Sequence, residues 1–270
     1  MKLLVQQLNG QTYHLEDYGI DVLDFEVDAP EADIEKEYVE GRNGWVDMGA
    51  TFKGRTMRAD FYLKNVGYEF ALVRNEIFKI FRSNDPFYLI DLRERGKRWL
   101  VRANNYPIKQ LTKNQGEFSI DFKSSKSYAE SVGTTLTPFT FDAEVWGVGM
   151  GLIDADEMEY EHTTNEFDIY NAGVVAIDPV EDDLKIKFTG ASEGLKIENK
   201  TTGDVFEYYG QTNDSDVLEL NGVEVLLNGI NVLGNSNMEL ITLAEGFNEF
   251  LISGSSGAFN ITFEFRFKYE

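Results

Sequence analysis

Few side chains in this sequence could do chemistry. There are two histidines, His14 and His162, and no cysteine. Thiolate nucleophiles, disulfides and cysteine-ligated zinc or iron–sulfur sites are therefore excluded. The histidines lie in opposite halves of the chain, so a zinc site would need carboxylates and a contact between halves. They read as solvated or core-edge residues. Nothing resembles the strand–turn–helix that presents a nucleophilic serine. Asp154-Ala155-Asp156 begins like a calcium loop. That loop needs glycine at its sixth position and glutamate at its twelfth, where this chain has Glu159 and Asn165. A second acid cluster, Asp178-Pro179-Val180-Glu181-Asp182-Asp183, suits either a calcium loop on a β-sandwich or a solvated turn. Gly147-Val148-Gly149-Met150-Gly151 lacks dinucleotide-loop spacing and reads as a bulged or closely packed strand. Carboxylate pairs could hydrolyse glycosides, but among 47 acids some pair lies close by chance. Trp45, Trp99 and Trp146 could stack on sugars, although tryptophan is more often core. The reading is of no enzyme, no cofactor and no metal. Binding or assembly is left.

The elements that would position such surfaces are strands. Phe259, Ile261, Phe263, Phe265, Phe267 and Tyr269 alternate with polar residues, which puts six apolar side chains on one face of a single long strand. Leu184–Phe188 and Leu195–Ile197 repeat the pattern in short form. Asn-Gly pairs at 9–10, 43–44, 221–222 and 228–229 supply the positive φ that tight hairpins need. One helix is expected, at about 66–81, with Asn65 as N-cap and Val66, Phe70, Val73, Ile77 and Ile80 or Phe81 on its apolar face. A polar, breaker-rich stretch near 128–138 divides the chain. The expected domains are 1–130, with the helix, and 138–270, almost purely β. The fold class is mainly β, with two β-sandwich-type domains. The N-terminal apolar run, Leu3-Leu4-Val5, is too short for a signal peptide, and no stretch would span a membrane.

With 270 residues, 42% of them hydrophobic, the chain has enough apolar area for real cores despite a net charge of −22. That charge excludes a general nucleic-acid binder and docking on anionic membranes. It is unevenly spread. Residues 136–270 hold 6 bases and 26 acids, while residues 41–135 hold 17 bases and 10 acids. Residues 1–40 hold 2 bases and 11 acids. The acidic and basic regions of the first half suit a head-to-tail contact between copies.

Motif order carries a resemblance. Gly41-Arg42-Asn43-Gly44 lies between two polar-rich strands, Gly54-Arg55-Thr56-Met57 opens the next, and Asp85-Pro86-Phe87-Tyr88 follows the helix. Arg98-Trp99 and Ile120-Asp121-Phe122 complete the half. In the second half come Phe167-Asp168-Ile169-Tyr170-Asn171-Ala172-Gly173, Ile177-Asp178-Pro179 and Ile197-Glu198-Asn199-Lys200-Thr201-Thr202-Gly203. Gly246-Phe247-Asn248-Glu249-Phe250 and Phe263-Glu264-Phe265-Arg266-Phe267 follow. Over nearly its whole length the chain resembles the distal tail protein (Dit) family of long-tailed, non-contractile siphovirus phages. Met57, and Val39-Glu40 before Gly41, depart from the family's usual aliphatic β-branched residue and proline.

The resemblance implies a virion protein made in the host cytoplasm, forming a homohexameric ring at the tail tip. Its N-terminal domains would continue the tail tube, and its C-terminal domains would be galectin-like jelly-roll sandwiches. Its partners would be the major tail tube protein, the tail-associated fibre or lysin protein and receptor-binding proteins. DNA would pass through without specific binding. Gly41, Arg42, Asn43 and Gly44 are expected at the ring contact. Asp24, Glu26, Asp28, Glu31 and Asp33 are expected to face the lumen, where acids repel passing phosphate. The alternative is an adhesin binding host cell-wall sugar through the C-terminal sandwich, with Trp146 as a candidate platform.

Overall fold

In the computed structural model the described residues are 2–64, 70–140, 145–153 and 158–270. The chain divides into two compact units, Met1–Ala129 with Glu270, and Glu130–Tyr269. Both are built from antiparallel strands, as the alternation predicts.

The first unit contains β1 (Leu3–Gln7), β2 (Thr12–His14), β3 (Ile20–Val27), β4 (Ala32–Glu37), β5 (Val46–Phe52) and β6 (Thr56–Leu63). Helix α1 (Phe70–Ile80) is followed by β7 (Phe87–Asp91), β8 (Lys97–Ala103), β9 (Lys109–Thr112) and β10 (Gln115–Lys123). The ladder runs β2-β1-β7-β8-β10-β6-β3, with β9 on β10 and β4–β5 as a separate sheet. Val73, Ile77 and Ile80 form the buried stripe of α1, as their spacing predicts. Asn65 and Val66, expected at its start, lie outside the described residues. Phe81 follows directly, its N–H still donating to the Ile77 carbonyl. Its ring meets those of Phe61, Phe87, Tyr106, Phe118 and Phe122 at centroid distances of 5.4–6.4 Å. This aromatic cluster fastens the helix to the strands.

The second unit contains β11 (Ala129–Ser131), β12 (Glu161–His162), β13 (Glu166–Asn171), β14 (Lys185–Asn199) and β15 (Asp204–Thr212). It continues with β16 (Val217–Asn221), β17 (Glu224–Leu227), β18 (Ile230–Asn231), β19 (Gly246–Glu264) and β20 (Lys268–Tyr269). The order is β12-β19-β14-β16-β17-β18, with β13 on β19 and β15 on β14. Phe250 and Phe263 are thirteen residues apart on β19, roughly 40 Å along a straight strand. Their ring centroids are nonetheless 4.7 Å apart, so the sheet folds over its own core. The bends sit at glycines: β14 shifts register beside Gly190, and Gly254 has φ +80°. A Cβ on Gly254 would lie 2.4 Å from the Gly194 carbonyl oxygen.

Three sequence readings need correction. The six apolar side chains from Phe259 to Tyr269 are all buried, but not on a single strand. After Glu264, Thr135 and Ser131 take over the pairing. The Thr135 and Ser131 N–H groups donate to the Phe265 and Phe267 carbonyls, and their hydroxyls accept from the Phe265 and Phe267 N–H groups. Gly147–Gly151 is a turn rather than a bulged strand, because Gly149 and Gly151 have φ +85° and +71°. Finally, only one of the four Asn-Gly pairs fills a two-residue hairpin turn in full. Asn228-Gly229, with φ +51° and +80°, joins β17 to β18 as expected. Between β16 and β17 the turn is instead Gly222-Val223, with Asn221 already in the ladder.

Asp204 offers a pH test of this unit. Burial pushes its carboxyl pKa up. The Thr242 N–H and hydroxyl and the Thr202 hydroxyl donate to it at 2.9, 2.5 and 2.7 Å and outweigh that push, holding it below the ordinary 3.8. A depressed folded pKa stabilises above the unfolded value and is lost as pH falls through the folded one. Thermal midpoints of the wild type and Asp204→Asn should therefore differ most above pH 4 and converge in more acidic buffer.

Candidate assembly surface

Between β3 and β6 the chain leaves the first unit's main sheet as a hairpin arm, β4–β5. Residues 31–54 are all exposed except Val46, which is half-buried. The register makes the arm amphipathic. Ala32 faces Phe52 and Ile34 faces Ala50 on one side; Asp33 faces Thr51 and Glu35 faces Gly49 on the other. An isolated two-stranded hairpin is marginal in water. This one also exposes Ile34, Tyr38, Val39, Trp45, Met48 and Phe52. Gly41, Arg42, Asn43 and Gly44, the expected contact residues, sit in the loop at its tip. Gly41 and Gly44 turn it with φ +79° and +85°. Lys36 Nζ lies 4.9 Å from the Trp45 ring centre, bracing strand to loop.

The root of the arm is pinned by a residue whose importance sequence reasoning missed. Arg55 is buried. Its Nη1 donates to the Asp28 carbonyl at 2.7 Å and its Nε to the Ser127 carbonyl at 3.1 Å. Ser127 Oγ in turn reaches the Phe52 and Lys53 carbonyls at 3.0 and 2.8 Å. Lys53 closes the arm's base through a 2.6 Å ion pair with Glu31. Gly54 is obligatory here, since a Cβ would meet the Ser124 carbonyl oxygen at 2.1 Å.

The five expected lumen acids fall in two places. Asp24 and Glu26 lie on the outer face of β3, where a bulge between Val22 and Asp24 leaves Leu23 exposed as well. Asp24 stands opposite Asp60, and Glu26 opposite Arg58. Arg58 also approaches Asp60 and Asp121 at 3.4 and 3.7 Å. Asp60 and Asp121, distant in sequence, thus join an acidic sheet face. Glu31 and Asp33 belong instead to the arm, with Asp28 at its junction. The apolar residues among these acids part company in the same way: Phe25 is buried, whereas Val27, at the end of β3 opposite Met57, and Ile34, on the arm, are exposed.

The second unit's candidates are engaged structurally. Trp146 is buried and stacks on Phe139 at 4.7 Å, which removes it as an exposed sugar platform. Trp99 is buried also, and Trp45 alone of the three is exposed. In the Asp178–Asp183 turn, Asp178 accepts from the Val180 N–H, and Asp182 pairs with Lys268 at 2.7 Å. Burial lowers the pKa of His162, whose ring lies flat on Phe167 at 4.2 Å and bonds the Glu159 carbonyl. His14 is exposed. Among the described residues no group of three or more His, Asp or Glu is placed to hold a metal ion. Asp154, Asp156 and Glu157 lie outside those residues. No described helix is long and apolar enough to cross a membrane.

Residues 8–124, which contain the whole arm, match the family described as the phage tail protein RIFT-related domain. By this match the first unit resembles a phage tail protein domain. Beyond this tail domain, the fold of the whole chain is shared with a known protein. The crystal structure of Dit from phage SPP1, described as a paradigm of the hub adsorption apparatus in phages infecting Gram-positive hosts, superposes with a TM-score of 0.70. Identity is 12%, over 98% of this chain and 99% of that one. A chain of the phage p2 baseplate in its activated conformation with calcium superposes at 0.50, with 8% identity over 98% and 97%. No curated protein sequence matches. The resemblance to the distal tail protein family is borne out by the tail domain and the shared fold together.

Proposed function

We propose that this protein is a ring-forming hub at the distal end of a phage tail. In this reading six copies close a ring through their tail domains. The ring joins the major tail tube protein to the tail-associated fibre or lysin protein and the receptor-binding proteins. The second units, Glu130–Tyr269, stand outward as solvated sandwiches. The protein's work is positional, with no catalysis. One observation carries the reading: an amphipathic arm whose apolar face lies exposed, rooted on a buried arginine inside the tail domain. A rooted arm reaching away from its own core fits a heterologous contact, in which one surface meets a different surface of the next copy. The acidic face of Asp24, Glu26, Asp60 and Asp121 suits the bore, where it would keep DNA from adhering. The adhesin alternative loses its candidate platform with the burial of Trp146.

The arm gives a clean test. The Lys53 N–H donates to the Glu31 carbonyl at 2.9 Å, so a Gly-Ser-Gly link can replace residues 31–53 without straining the root. Light scattering of protein co-expressed with its neighbouring tail proteins should show multimers for the wild type and single chains for the deletion. Stability of the remainder should change by less than about 1 kcal/mol, because the removed residues are exposed. Multimers that persist without the arm would place the contact elsewhere.

A further inference from the structure

The outer face of β13 and β19 in the second unit carries an arrangement that the hub reading does not use. Tyr170 and Phe247 stand opposite each other, ring centroids 4.8 Å apart and planes at 48°. Phe247 is 48% exposed, and the Tyr170 hydroxyl is tied to the Gly151 carbonyl at 3.2 Å, so the ring is held in place. Two residues along, on the same face, Asp168 stands directly opposite Glu249. Both are exposed. Lys200, whose N–H joins Glu249 in the ladder, turns its ammonium to Glu166 at 3.5 Å. Among the described residues no cation lies within ion-pair distance of Asp168 or Glu249.

Within the chain this is a poor arrangement. Like charges directly opposite weaken a ladder, and an exposed phenylalanine adds little to a core. Features that cost stability without a local return fit a surface completed by something else. What would complete this one is set by its chemistry. Two carboxylates call for a single shared cation, and two aromatic faces call for a flat, weakly hydrated one. Guanidinium meets both demands, because it binds carboxylates in a planar fork and stacks on rings; a compact, strongly hydrated ammonium meets only the first. The surrounding field agrees: with 6 bases against 26 acids in residues 136–270, basic partners are attracted and anionic polymers repelled.

We propose that this patch docks a basic segment of a partner protein, with one arginine laid against Tyr170 and Phe247 and its guanidinium shared between Asp168 and Glu249. The inference does not depend on the ring.

A Gly-Gly-Arg-Arg-Gly-Gly peptide titrated into ¹⁵N-labelled full chain tests it. Saturable shifts are expected at residues 168–170 and 247–249. Affinity should fall at least tenfold in D168N/E249Q and in Phe247→Ala. It should also fall when lysines replace the arginines. The D168N/E249Q variant should melt at a higher temperature than the wild type, because the cross-strand repulsion is gone, whereas carboxylates with a structural role would give a lower one. The proposal is overturned by equal affinity for the lysine peptide, by undiminished binding in the variants, or by a lower melting temperature of D168N/E249Q. Shifts at these residues with cellotetraose and none with the arginine peptide would overturn it in favour of a sugar site.

Discussion

Replacing Arg55 with alanine should release the arm and cost the first unit about 3 kcal/mol, the loss of two charge-assisted hydrogen bonds from a buried site. The arginine holds together stretches far apart in sequence: Asp28 before the arm and Ser127 at the end of the unit. Its guanidinium also lies 5.4 Å from the Trp99 ring centre, on the sheet beneath. An alanine leaves both carbonyls without their donor and opens a hole beside Trp99. Arg55→Lys should recover little, since one ammonium cannot span both carbonyls in the fork geometry. Denaturant titration gives the stability loss. Limited proteolysis gives the local effect, which should be faster cleavage in the loop between β4 and β5. Unchanged cleavage with lowered stability would mean that Arg55 supports the sheet without fixing the arm.

Phe81→Ala should be the most damaging single truncation in the first unit, at about 4 kcal/mol, because a buried ring leaves a cavity that its neighbours only partly fill. Phe81 contacts five other rings and sits where α1 meets the strands. A local reporter is built in. Tyr106, whose ring lies 6.4 Å from that of Phe81, has its phenol pKa pushed well above the ordinary 10 by burial. Water entering the cavity would bring Tyr106 back toward its ordinary range. Ultraviolet titration of the folded variant should therefore show a tyrosine ionising earlier than in the wild type, alongside the lower unfolding midpoint. A midpoint within 1 kcal/mol of the wild type would refute this view of the core.

Where pattern and packing coincide, the sequence was easy to read. The apolar spacing of Val73, Ile77 and Ile80 is the buried stripe of α1, and Phe259 to Tyr269 point inward at every second residue. What periodicity could not show was where backbone partners change. Alternation continues through Glu264 although the strand stops, because the hydroxyls of Ser131 and Thr135 stand in for a ladder more than 120 residues away. The acid-rich segment carried no sign of where its strand ends: β3 stops at Val27, and Asp33 falls on a separate strand of the arm. Arg55 stood in one of the short motifs, but nothing signalled its burial: an arginine at a strand start looks like a surface residue until Asp28 and Ser127 are brought to it. Trp146 was one of three candidates in sequence, and only the stack on Phe139 placed it inside. The order of short motifs, rather than any one of them, pointed to the tail protein family.

The central claim is that the arm joins copies into a ring. Cryo-electron microscopy of assembled tail tips tests it most directly. The account predicts a six-fold ring of tail domains, each arm laying the Ile34–Phe52 face on its neighbour, with Asp24 and Glu26 toward the bore. Arms free in solvent while the tail domains meet through other surfaces, or a single copy per tail, would contradict it.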